Sequence, residues 1–126
     1  MVTTQEVFNK VALHLLTQFK QAKVDNKCRY RSNDGLSCAV GCLIPDSLYD
    51  YRLEGGTVFA VLQFAAGTNR LKEFAAVGIS ESNFALLTEL QMVHDIREPQ
   101  DWYSHLCDIA KVLDCTMPCN EYGVPL

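Results

Sequence analysis

Apolar residues fall at helical spacing over most of this chain. In residues 3–22, Phe8, Val11, Ala12, Leu15, Phe19 and Ala22 recur three and four apart, the stripe of an amphipathic helix. Thr3-x-x-Glu6 begins it as a capping box, in which hydroxyl and carboxylate satisfy free backbone N–H groups. Thr57 caps a second, very apolar helix over 58–66 that ends at Gly67 as the residue just past the helix. That segment is apolar nearly all round, which predicts a central, buried helix. Residues 70–77 form a shorter amphipathic turn. Ser80 caps a helix over 81–95 whose stripe is Leu86, Leu87, Leu90 and Val93. Gln91 and His94 lie three apart at the edge of that stripe and can meet the same neighbour. Pro99 starts the last helix, with Trp102, Leu106, Ile109 and Leu113 on one face, ending near Asp114.

The pattern breaks between residues 24 and 57. Ser32-Asn33-Asp34-Gly35 is turn chemistry, since Asn and Asp bond local backbone and Gly accepts positive φ. Cys28–Arg31 before it reads as a short strand. Residues 36–43 read as a strand or a short helix capped by Ser37, with Ala39, Gly41 and Cys42 favouring the helix. Pro45 ends either element. Residues 46–51 read as one helical turn or a compact loop, and Gly55-Gly56 as a break. The expected fold class is mainly α: one compact helical domain over 1–126, with a short β-hairpin or irregular insert around 28–45 and an irregular tail over 115–126.

Composition narrows the picture. The chain has 126 residues, 48% of them hydrophobic, enough for one core without disulfides. The start, MVTTQEVFNK, lacks the basic and apolar regions of a signal peptide, and no apolar run is long enough to span a membrane. A cytoplasmic setting follows as the expectation, with the six cysteines as reduced thiols. The net charge of −4 argues against nucleic acid as a partner. Charge is uneven: residues 20–31 carry +4 and the remainder −8.

Three chemistries have candidate residues. A cysteine nucleophile would be Cys38, placed after a turn at the start of a short helix, where its thiolate is favoured. His94 would then be the base, and Asp95 or Gln91 the group orienting it, giving a hydrolase or transferase. Alternatively Cys38 and Cys42 simply pack. A small anion, nucleotide-like, would be held by Arg29, Tyr30 and Arg31 together with the helix start at Thr57. The alternative there is a surface hairpin. Zinc would draw on Cys28, Cys38, Cys42, His94, Cys115 and Cys119, but the two C-x3-C pairs sit in an apolar run and across a proline. Packed thiols are the simpler reading, so neither metal nor cofactor is expected. His14, beside the first stripe, reads as a packed or half-exposed side chain.

One longer string carries a resemblance. Cys28, Tyr30 and Arg31, then Gly35 to Tyr49 (GLSCAVGCLIPDSLY), then Leu90–Asp95 (LQMVHD) and Trp102 resemble the shared motifs of a small bacteriophage and prophage protein family. The resemblance covers about residues 5–113 and implies no particular activity. What it implies is a setting, the cytoplasm of a bacterial host, where small acidic phage proteins often bind a host protein. The leading expectation is therefore a non-enzymatic binding protein engaging a host factor, such as an immune system. Its docking face would be the acidic surface of residues 46–121.

Overall fold

The computed structural model describes residues 2–118. Five α-helices carry the fold among them: α1 (Thr4–Gln18), α2 (Val58–Gly67), α3 (Leu71–Ala76), α4 (Phe84–Ile96) and α5 (Trp102–Val112). A two-residue antiparallel hairpin, β1 (Lys23–Val24) with β2 (Lys27–Cys28), follows α1, in register Lys23 with Cys28 and Val24 with Lys27. The mainly α class with a small hairpin is as the sequence indicates.

Two helices start on the caps the sequence names, but Ser80 makes no capping bond: a 3-10 turn at Glu81–Asn83 follows it and α4 begins only at Phe84. Thr3 Oγ1 accepts the Glu6 N–H at 3.1 Å and Thr57 Oγ1 accepts the Ala60 N–H at 3.2 Å. A single turn of 3-10 helix at Pro99–Asp101 leads into α5. Helices α1, α4 and α5 pack on one another around Phe8, Leu15, Leu87, Leu90, Trp102 and Leu106, all fully buried. Burying side chains of this size contributes about 1.5–3 kcal/mol each.

Other details differ from the expectation. α1 stops at Gln18, because Phe19 turns left-handed at φ 53° and becomes its cap. Phe19 is consequently half exposed, its ring edge-on to Trp102 at 6.4 Å. The hairpin lies at 23–28 rather than within 28–45, turning through Asp25 and Asn26 at φ 52° and 64°, the left-handed pair that a tight two-residue turn needs. The hairpin expected around Ser32–Gly35 shrinks to one bridge between Arg31 and Ser37, and the helix expected over 36–43 to a 3-10 turn at Gly41–Leu43. Finally, α2 is not buried all round: Val58, Val61, Leu62 and Ala65 face the core while Phe59, Gln63 and Ala66 face solvent. Gly67 is the last residue of α2, and Asn69 at φ 60° makes the left-handed exit.

Residues 115–118 have no regular structure, as expected of the tail; residues 119–126, with Cys119, lie outside the described residues. No helix among the described residues is long and apolar enough to cross a membrane.

Candidate functional site

The segment 29–45 has almost no regular structure, yet Tyr30, Cys38, Ala39, Val40, Gly41, Leu43 and Ile44 are buried in the core. Buried backbone needs partners, and here side chains of the surrounding elements supply many of them. Gln18, at the end of α1, brackets Ser37: its Oε1 accepts the Ser37 N–H at 3.1 Å and its Nε2 donates to the Ser37 carbonyl at 2.9 Å. His14 Nε2 reaches the same carbonyl at 3.0 Å, so this half-buried histidine is a tether. Gln91 on α4 accepts the Val40 N–H at 3.0 Å.

Glu54 serves the other side. Its carboxylate accepts the Tyr30 N–H at 2.8 Å, the Arg31 N–H at 3.1 Å and the Tyr49 hydroxyl at 2.6 Å, and pairs with Arg29 Nε at 3.1 Å. Burial alone would raise its pKa, but these donors outweigh burial and hold it below the ordinary value.

Of Arg29, Tyr30, Arg31 and Thr57, it is Tyr30 that reaches the start of α2, where its hydroxyl donates to the Gly56 carbonyl at 2.7 Å, next to Thr57. The charges of both arginines are already paired. Arg29 is paired with Glu54 and lies 5.6 Å from the Tyr51 ring centre. Arg31 is 2.7 Å from Asp46, donates to the Ile44 carbonyl at 2.9 Å and stacks 4.3 Å over Tyr49. Tyr30 is buried and Thr57 caps α2. An incoming anion would have to compete with two carboxylates for both guanidinium groups.

Cys38 and His94 share the neighbours Gln91 and Asp95, but no hydrogen bond between the two is found among the described residues. Cys38 is fully buried, and its sulfur accepts the Gly41 N–H at 3.2 Å. Burial pushes its thiol far above the ordinary value, the reverse of an activated nucleophile. Its place at a helix start is also gone, because 36–40 is not helical. Cys42, one turn on, donates to the Ala39 carbonyl, and burial pushes it up to about 12.

His94 is fully buried and stacks on Trp102 with ring centres 5.8 Å apart. Nε2 accepts the Ala22 backbone N–H at 2.9 Å, and Nδ1 lies 2.7 Å from Asp95 Oδ1. The first bond fixes the tautomer: Nε2 carries no hydrogen, so Nδ1 carries it and donates to Asp95. Gln91 Nε2 also donates to that carboxylate, at 3.1 and 3.3 Å, so Gln91 and His94 do share a neighbour.

The sulfur that approaches this pair belongs to Cys28. Cys28, His94 and Asp95 place ligand-type atoms within 4.8 Å of one another. The histidine tautomer decides what this group can do. A general base or a metal ligand needs a free nitrogen lone pair, and the only one His94 has is occupied by Ala22. Burial first, then the Asp95 charge, pushes Cys28 up to about 11, leaving it a thiol. The trio therefore acts as a clamp between α4 and the hairpin. Gln21 completes it, donating to the His94 carbonyl at 2.8 Å.

Sequence reasoning missed Gln18, Gln21, Glu54 and Cys28 in these roles. Glu54 had one signal, a lone carboxylate between Leu53 and the Gly55-Gly56 break. The glutamines had none, because an amide at a helix end looks like any surface residue.

Comparison of the chain with protein-family models, with curated proteins and with solved structures finds no match. The phage resemblance rests on the quoted motifs alone.

Proposed function

We propose that this protein acts by binding another protein, in the phage setting a host factor such as part of an immune system, and not by catalysis. One observation carries this reading. The polar side chains that chemistry would use are committed to the protein's own backbone and ion pairs, while large apolar side chains stand unused on one surface. Phe59, Leu71, Met92, Ile96 and Val112 are 57%, 53%, 45%, 62% and 81% exposed. Apolar residues gathered in a patch, rather than scattered singly, mark interaction surfaces.

The acidic balance of residues 46–121 fits the same reading, since charge around an apolar patch steers a complementary partner. The test is retention of a partner from host extract by the intact protein. Cys38→Ala and Thr57→Ala, as folded variants, should keep it. An activity of the purified protein that vanishes in folded Cys38→Ala would replace binding with catalysis as the function.

A further inference from the structure

The exposed apolar residues of α4 form a line. Phe84, Thr88, Met92 and Ile96 are spaced four apart along the whole helix, and side chains at i and i+4 stand one above the other. Thr88 brings a hydroxyl into the row. Its Oγ1 is buried and has no hydrogen-bond partner, so what the half-buried Thr88 shows to solvent is carbon. The row is thus an unbroken apolar ridge.

A depression flanks the ridge on each side. Towards α2 the lining includes Phe59, Phe84, Thr88 and Met92, and this depression continues past Phe59 to Leu71. Towards α5 it includes Met92, Ile96, Ile109 and Val112. Ridges at i+4 spacing are what one helix offers to the grooves of another. The charged groups lining these depressions are Glu81, Glu89, Asp95 and Asp108, against Arg97 alone; His105 also lines the α5 side.

From this we infer that the α4 ridge receives an amphipathic helix of the partner, one with lysines and arginines beside its apolar stripe. The inference rests on the binding function proposed above and gives that partner its chemistry. Charge decides between occupants. A second copy packed two-fold on α4 would bring Glu89 towards its own counterpart and an acidic rim onto an acidic rim, and like charges in a contact oppose it. The chain's last residues, 119–126, carry Glu121 and no Lys or Arg, so they offer no complementary charge either. A basic helix satisfies both the apolar row and the carboxylates.

The probe is a labelled peptide of leucine and lysine, about 18 residues long with leucine at helical spacing. Two controls accompany it: the same composition in scrambled order, and the same pattern with glutamate for lysine. The helical basic peptide should bind the intact protein, more weakly as salt rises from about 50 to about 200 mM, and neither control should. Met92→Glu with Ile96→Glu should weaken binding about tenfold or more, with the melting temperature and circular dichroism unchanged. Absence of binding, equal binding of the scrambled peptide, or unchanged affinity in the double variant overturns the inference. Sedimentation showing a dimer that Met92→Glu dissociates assigns the ridge to a second copy instead. A gain of peptide affinity on Val124→Glu with Leu126→Glu assigns it to the chain's own end. If a partner from host extract stays on the double variant, binding stands as the function and this face is wrong. If no partner is ever retained, the binding function itself fails.

Discussion

Ala22 and His94, 72 positions apart, are joined by a 2.9 Å bond from a backbone N–H to Nε2 inside the protein. The bond ties the strand-like connector after α1 to the last turn of α4. It also explains why a buried histidine sits here without being reactive. His94→Ala leaves the Ala22 N–H without its partner and opens a space against Trp102. The expected loss is about 3–5 kcal/mol, combining an unsatisfied buried donor with a cavity. Asp95→Asn, at the exposed end of the same chain of bonds, should cost about 1 kcal/mol or less. Urea unfolding of the two variants beside the parent measures both. A His94→Ala protein as stable as the parent would remove the clamp from the description.

Glu54 makes stability depend on acid. Its folded pKa lies below the ordinary 4.5, so its contribution is fully present above that value and is lost as pH falls through the folded value. The Glu54 part of the stability, read as the difference between parent and Glu54→Gln, should therefore hold between pH 7 and 5 and shrink below about pH 4.5. Asp50, held down to about 2 by its bond with Arg52, and Asp34, lowered by Ser32, add in the same direction. Glu54→Gln should lower the midpoint at pH 7, since two of the present donors face an amide that accepts at only one end. It should also flatten the acid dependence. An unaltered acid slope in Glu54→Gln would place the dependence elsewhere.

These two residues show what the sequence could and could not reveal. The helices were legible because capping and spacing are local: Thr3, Thr57 and the stripe of Leu86, Leu87, Leu90 and Val93 stand where the pattern puts them. The spacing carries α1 four residues too far, because Phe19 and Ala22 keep helical register. Nothing in that spacing says that Phe19 will turn left-handed. The pattern buries α2 all round because Phe59 counts as apolar whichever way it faces. The middle segment, with its small and apolar residues, packs as a plug in the core, but nothing in the sequence points to its supports. Gln18, Gln91 and Glu54 reach it across 19, 51 and 24 positions, and such long-range bonds leave no periodicity. The helix start that makes Cys38 a candidate does not form, and the sulfur beside His94 is that of Cys28.

Thiol reactivity follows from burial. Cys38 and Cys42 are pushed far above neutrality by burial, and Cys28 by burial and the Asp95 charge. Iodoacetamide at pH 7 should leave these three largely unmodified in the native protein and modify them rapidly in urea. Peptide mass mapping reads each site separately. Fast native labelling of Cys38 would mean that the plug opens far more often than its buried packing allows.

The last prediction concerns Gly41, which is there for space. A Cβ built on it would lie 2.1 Å from the Tyr30 carbonyl oxygen and 2.9 Å from its carbon. Backbone cannot swing aside as a flexible side chain can. That same oxygen accepts the Cys38 N–H at 3.2 Å, and the Tyr30 N–H is fixed by Glu54. Relieving the clash would therefore break bonds on both sides of the plug. Gly41→Ala should cost about 3 kcal/mol or more, the upper end of overpacking, and the soluble yield should fall with it. Gly67→Ala provides the contrast. Nothing lies within 4 Å of its added Cβ, and Gly67 sits in the last turn of α2. There the same change should raise stability by about 0.5–1 kcal/mol through helix propensity. Opposite signs for the two alanines in thermal unfolding would separate steric crowding from backbone freedom. Equal effects would mean that the Tyr30–Gly41 crossing is not closely packed in solution.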